Sequence, residues 1–121
     1  MELYHLDWEA ERAESPDRLL GIIVPPTSTV SFEANVLDAL KRGTYRKVAT
    51  IIGYCPEEVF RLTQNLEGSW TEANAPGVEP HGETPARSTS VGDLIRDDDG
   101  TYLAVATFGL VRVAPAAGPA N

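Results

Sequence analysis

Cysteine, histidine and positive charge are all scarce in this chain, and each shortage narrows what it can be. Cys55 is the lone cysteine among 121 residues. An intrachain disulfide and a cysteine-built zinc site are therefore excluded, and a reducing compartment is the expectation. His5 and His81 are the two imidazoles, so acid–base chemistry has few candidates. Lys and Arg total 10 against 18 Asp and Glu, which leaves a net charge of −8 and a pI near 4.6. Such a surface is repelled by phosphate backbones and anionic membranes, so direct nucleic-acid binding is disfavoured. It suits instead a basic surface on another protein, including one that normally holds nucleic acid. No apolar run approaches the roughly 20 residues that a bilayer span requires. The opening "MELYHLDWEAERAE" is acidic and lacks the basic and apolar regions of a secretory signal, so a cytoplasmic location is expected. No phosphate-cradling GxxxxGK[ST] or GxGxxG occurs.

What remains is the composition of an ordinary soluble domain, 42% hydrophobic and 23% charged. A single core can form at this length without a covalent staple. "ELYHLDW" alternates and predicts a strand with Tyr4, Leu6 and Trp8 buried. "EAERAESPD" reads as a polar connector stopped by Pro16, and "RLLGIIV" as a short strand closed by Pro25-Pro26. "STVSFEANVLDALKRG" has apolar residues at helical spacing, and Lys41-Arg42 before Gly43 makes a sound C-terminus. "TYRKVATIIG" predicts a strand. "CPEEVFRLTQNLEG" predicts a second helix, with Pro56 in its first turn and Glu57 and Glu58 at its positive end. Residues 69–87 form one long loop, rich in Gly, Pro and Glu. "DDDG" then makes a hairpin turn between "RSTSVGDLIR" and "TYLAVATF", with "GLVRVA" as a further strand or the continuation of a bent one. The expected architecture is one α+β domain over 1–113, a mainly antiparallel sheet with two helices on one face and a C-terminal β-hairpin. Residues 114–121 read as a frayed tail.

Chemistry is thinly signalled. Cys55 stands at a helix start, where unpaired N–H groups favour a thiolate, and with His81 it is the basis for an alternative reading as a small hydrolase or nucleotide-processing enzyme. Asp97, Asp98 and Asp99 carry carboxylates but lack the alternating acidic positions and closing glutamate of a calcium loop, so they read as a turn. No metal or other cofactor is implied. Lys41, Arg42, Arg46 and Lys47 form a basic cluster whose first role is to complement a helix C-terminus; binding nucleic acid is its alternative. Trp70 either clamps the long loop onto the core or offers a contact.

Three stretches carry a resemblance: "EEVFRLTQN", then "WTEANAPGV", then "RSTSVGDLI" leading to "GTYLAVATFGLVRV". Over about residues 45–113 the chain resembles a family of small proteins of prokaryotic plasmids, phages and integrated elements marked by "RSTSVGD(V/I)I". It is also similar to the C-terminal part of YodL-like domains. Gln64-Asn65 and Gly109-Leu110 depart from the Thr-Asn and Gly-Phe of that pattern. The resemblance implies a mobile-element context and no reaction.

The motif itself has a physical reading. Ser88, Thr89 and Ser90 turn the chain by bonding nearby backbone, Val91 enters the core, Gly92 permits a sharp bend and Asp93 accepts from a backbone N–H. Arg87 is expected to anchor the loop on a carboxylate, Glu72 or Glu83. The functional expectation is a non-enzymatic, acidic accessory protein that binds a basic partner, such as a host nuclease or nucleic-acid-binding complex, and inhibits it. The contact residues expected are Trp70, Glu72, Asn74, Glu79, Glu83 and Arg87, with Asp97, Asp98 and Asp99 beside them.

Overall fold

Strand β1 (Glu2–Leu6) is the inner strand about which the fold is arranged. In a computed structural model, residues 1–23, 29–66, 68–82, 85–107 and 109–113 are described. β1 pairs antiparallel with β2 (Tyr45–Ile51) on one side and β4 (Leu94–Arg96) on the other. β3 (Val78–Pro80) extends β2, while β5 (Tyr102–Ala106) and β6 (Gly109–Val113) extend β4, giving the order β3-β2-β1-β4-β5-β6. Every pairing is antiparallel. Val48 is an extra residue opposite the Leu3–Tyr4 step, the bulge that lets β2 wrap around β1.

Both faces of this sheet are covered, because successive side chains of a strand point to opposite sides. Leu6 and Leu94 pack with Leu19, Ile22, Phe32 and Val36 from the helices α2 (Pro16–Ile23) and α3 (Thr29–Arg42). Leu3 and Ile95 pack on the other side with Val59 of α4 (Pro56–Leu62) and with Trp70. The α+β class, the antiparallel sheet and the C-terminal hairpin agree with expectation. Among the described residues there are four α-helices where two were expected, and α4 lies against the face opposite α2 and α3. No helix among the described residues is long and apolar enough to cross a membrane.

Three segments depart from the sequence reading. Trp8 leaves the strand and opens α1 (Trp8–Glu14), capped by Asp7, whose side chain accepts from Ala10 N–H at 3.1 Å. "PDRLLGII" is the helix α2 and not a strand. Ser15 Oγ accepts from Arg18 N–H at 3.2 Å, and Pro16 occupies the first helical position, where its missing N–H costs nothing. Residues 69–87 contain a 3-10 turn (Trp70–Glu72) and β3, so that loop is partly regular. Strands β5 and β6 are a hairpin pair and not one bent strand. Pro25-Pro26 and the tail 114–121 lie outside the described residues.

The RSTSVGD stretch meets the helices at Gly92. Its φ is +95°, and a Cβ there would lie 2.4 Å from Ile22 Cγ2, so a turn and a close approach both demand glycine. Tyr45 Oη donates to Gly92 C=O at 2.6 Å and ties the turn to β2.

Candidate functional site

The RSTSVGD stretch folds as a compact turn whose charged ends close on each other. Arg87 donates to both carboxylate oxygens of Asp93, at 2.7 and 2.8 Å. It also donates to the carbonyls of Leu6 and Ser88, and its guanidinium lies 4.1 Å from the Trp8 ring centroid. Asp93 is fully buried and accepts further from Leu6 N–H and Ser90 N–H. The carboxylate that anchors Arg87 is therefore Asp93, not Glu72; Glu83 lies outside the described residues. A flat fork matched to a buried carboxylate is the geometry that arginine provides and lysine does not. Strand β1 is stitched to this turn through the Leu6 backbone on both sides.

Beneath the turn lies a polar chain that sequence reading missed. His5 Nε2 is 2.8 Å from Thr89 Oγ1, and the Thr63 hydroxyl is 2.7 Å from the same atom. Thr63 is also within bonding distance of the Val59 carbonyl, so the chain runs from β1 to the end of α4. Burial drives the His5 pKa down to about 4; the Asp93 charge 3.8 Å away opposes that shift and the Arg87 charge reinforces it. Such a histidine is neutral near pH 7. Its ring nitrogen is engaged by a threonine that is itself 2% exposed, and the residue also borders the cleft beside the turn. No local signal in the sequence joins residues 5, 63 and 89. Alternation puts His5 on the face away from Tyr4, Leu6 and Trp8, yet Leu3 and His5 are buried while Tyr4 and Trp8 are half-buried, because α4 and Trp70 cover that second face.

Trp70 resolves as the clamp. It is 3% exposed, its Nε1–H donates to Arg87 C=O at 2.8 Å, and its N–H is held by Asn65 Oδ1. Its ring meets the His5 ring edge-on at 6.1 Å. The ring is thus core material and not a contact offered to a partner.

Beside the turn is an open cleft of about 650 Å³, whose walls include Trp8, Arg46, Lys47, His81 and Arg87. Its cations are matched by carboxylates: Arg46 with Asp7 at 2.7 Å, Lys47 with Glu2 at 2.9 Å, and Arg87 with Asp93. The expected basic cluster is divided in the same manner, Arg42 facing Asp38 on α3 while Lys41 is exposed. Trp8 Nε1 is buried without a hydrogen-bond partner among the described residues.

Of the acidic contact residues, the strand register relates Glu79 to the aspartate turn. Glu79 of β3 is opposite Thr50 of β2, which is opposite Glu2 of β1, which is opposite Arg96 just before the aspartate turn. The N-terminal ammonium bridges this row by donating to Ile51 C=O and Asp98 Oδ1. Glu79 is 76% exposed and Asp98 86%. Glu72 and Asn74 are exposed on the segment before β3, with Asn74 at φ +55°. The turn closes as expected: Asp97 N–H donates to Thr101 C=O, Gly100 takes φ +88°, and Asp99 accepts from Thr101 N–H, which lowers its pKa. Cys55 is exposed at the start of α4, its N–H donating to Glu58, whereas His81 bonds Thr50 across the β3 edge. No group of three or more His, Cys, Asp or Glu among the described residues is placed to hold a metal. No family model, no curated protein and no solved structure matches the chain.

Proposed function

We propose that this protein acts by binding a basic surface on another protein and performs no catalysis of its own. The observation that carries this reading is the exposure of Glu72, of Glu79 on β3 and of Asp98 and Asp99 in the turn between β4 and β5, on a chain of net charge −8. Arg18, Arg42, Arg46, Lys47, Arg87 and Arg96 meanwhile each face a carboxylate within the molecule, which leaves the outward field negative. The best-made polar contacts, Arg87–Asp93 and His5–Thr89–Thr63, serve the fold and support a binding role over a catalytic one. The motif resemblance supplies a phage or plasmid context. There an acidic protein that occupies the basic cleft of a host nuclease or nucleic-acid-binding complex acts as an inhibitor of anti-restriction or anti-CRISPR type.

The test uses immobilised wild-type protein and a Glu72→Lys/Glu79→Lys variant, each exposed to nuclease-treated lysate of the source organism. The expected result is capture of a nucleic-acid-handling protein that duplex DNA displaces and that the variant fails to hold. Identical captures by the two baits, or a captured protein indifferent to DNA, overturns the reading.

A further inference from the structure

The two edges of the sheet are finished differently. At the β3 edge, His81 N–H donates to Val48 C=O and Ile52 N–H donates to Gly77 C=O, which fixes the phase of the ladder. In that phase the backbone nitrogens of Val78 and Pro80 face outward. Val78 N–H is already taken by Ala75 C=O at 3.1 Å, and proline has no N–H. The β3 edge therefore offers an incoming strand no free donor, and it is three residues long with Glu79 upon it. These are the devices by which sheets refuse further pairing.

Among the described residues, the β6 edge has neither a proline nor an occupied outward N–H, and its one charge is Arg112. Val105 N–H donates to Asp93 C=O, and Val105 C=O accepts from Gly92 N–H, so Val105 faces β4. Its partner Leu110, and Arg112 two residues on, then turn their N–H and C=O groups away from β5. Among the described residues no strand pairs with this edge. It runs five residues, "GLVRV", without proline and without a carboxylate.

We infer that β6 pairs antiparallel with β6 of a second copy about a two-fold axis at Val111. In that register Leu110 of each copy lies opposite Arg112 of the other, so both outward-facing residues exchange backbone hydrogen bonds. Val111 meets its own counterpart as the close, non-hydrogen-bonded pair. A second copy fits this edge on charge: β6 itself carries Arg112 and no carboxylate, and Arg112 lies within electrostatic reach of Asp99 in the neighbouring turn, so each copy of net charge −8 brings a cation to the seam. Because the outer strand of each copy is then the closed β3, the assembly stops at a dimer and does not grow into a fibre. The inference concerns the sheet edge opposite β3 and Glu79, and it stands independently of the partner proposed above.

Arg112→Pro is the discriminating variant, since it deletes an outward N–H and leaves the β5–β6 ladder its donors. Val111→Glu is the second, placing two carboxylates face to face at the axis. Sedimentation velocity over a concentration series, with far-UV circular dichroism to confirm the fold, reads both. A wild-type monomer–dimer equilibrium is expected, with the dimer dissociation constant raised about tenfold or more in each folded variant. A wild type that stays monomeric into the millimolar range overturns the inference. So does a dimer that either folded variant leaves unchanged.

Discussion

Arg87 and Asp93 show how one pair of side chains can set a whole turn. Asp93 is inside the protein with no exposed surface, and Arg87, its side chain 27% exposed, is its cation. Arg87→Ala leaves that carboxylate buried and unpaired, a loss on the order of 3–5 kcal/mol in urea unfolding. Arg87→Lys recovers only part of it, because an ammonium cannot fork across two oxygens while also reaching the Leu6 carbonyl. His5 makes a second prediction, read by pH. Its pKa is lowered by burial from the ordinary 6.5 to about 4 in the folded protein. Between those values the unfolded chain binds a proton that the native state refuses, so stability is complete above about pH 6.5 and falls as the medium acidifies towards pH 4. The carboxylates of Glu2, Asp7 and Asp38 have folded pKa values lowered by their partners, so their losses come at lower pH. Comparing about pH 7 with about pH 5 therefore isolates the histidine, whose share is about 2 kcal/mol. His5→Gln should flatten that difference; a slope unchanged by the substitution would mean that another group carries it.

Elements whose signals are local were legible in the sequence, and those defined by distant partners were not. Helix α3 announced itself through helical spacing and the Lys41-Arg42-Gly43 ending, β2 through its β-branched run, and the aspartate turn through Asp99-Gly100. Helix α2 was misread because Ile22, Ile23 and Gly21 resemble a short strand, while "SPD" before them is a helix start: Ser15 caps and Pro16 takes the first position. Helix α1 was hidden by the aromatic alternation of β1 running on into Trp8. Of the candidate site, the bend at Gly92 and the acceptor role of Asp93 could be read from the sequence, but not the hydroxyls: Ser88 Oγ accepts from Asn65 N–H and Thr89 Oγ1 meets the His5 and Thr63 side chains, where bonds to nearby backbone were expected. The His5–Thr89–Thr63 chain could not be read either, since it spans 84 residues. Besides the apolar packing of Leu19 and Ile22, the misread helices are joined by an ionic cluster. Arg18 of α2 contacts the fully buried Glu11 of α1 and Asp38 of α3. Arg18→Met alone strands the Glu11 charge and should cost several kcal/mol, whereas Glu11→Leu/Arg18→Met together should restore most of it. A double variant as unstable as the single one would mean that packing by the Arg18 stem, and not charge compensation, dominates.

At the scale of the molecule, net charge of −8 and unequal sheet edges oppose each other in one form of association and cooperate in another. A dimer through β6 doubles the net charge, so its long-range electrostatics are repulsive even though β6 itself carries no carboxylate. A complex with a basic partner has long-range electrostatics of the opposite sign. Salt screens both, with a Debye length of about 30 Å at 0.01 M and about 8 Å at 0.15 M. Raising ionic strength across that interval should therefore tighten the dimer and weaken the complex with a basic protein. Sedimentation of the chain alone, and titration of the chain into its captured partner, read the two responses separately. If self-association weakened with salt as well, the contact between copies would have to run through opposite charges such as Glu79 and Arg112, and so through the β3 edge that the backbone geometry closes. If both responses take the expected signs, dilute low-salt conditions favour the monomer bound to its basic partner. High salt then favours two copies joined along β6, with Glu79 of each copy exposed at the two extremes of a continuous sheet.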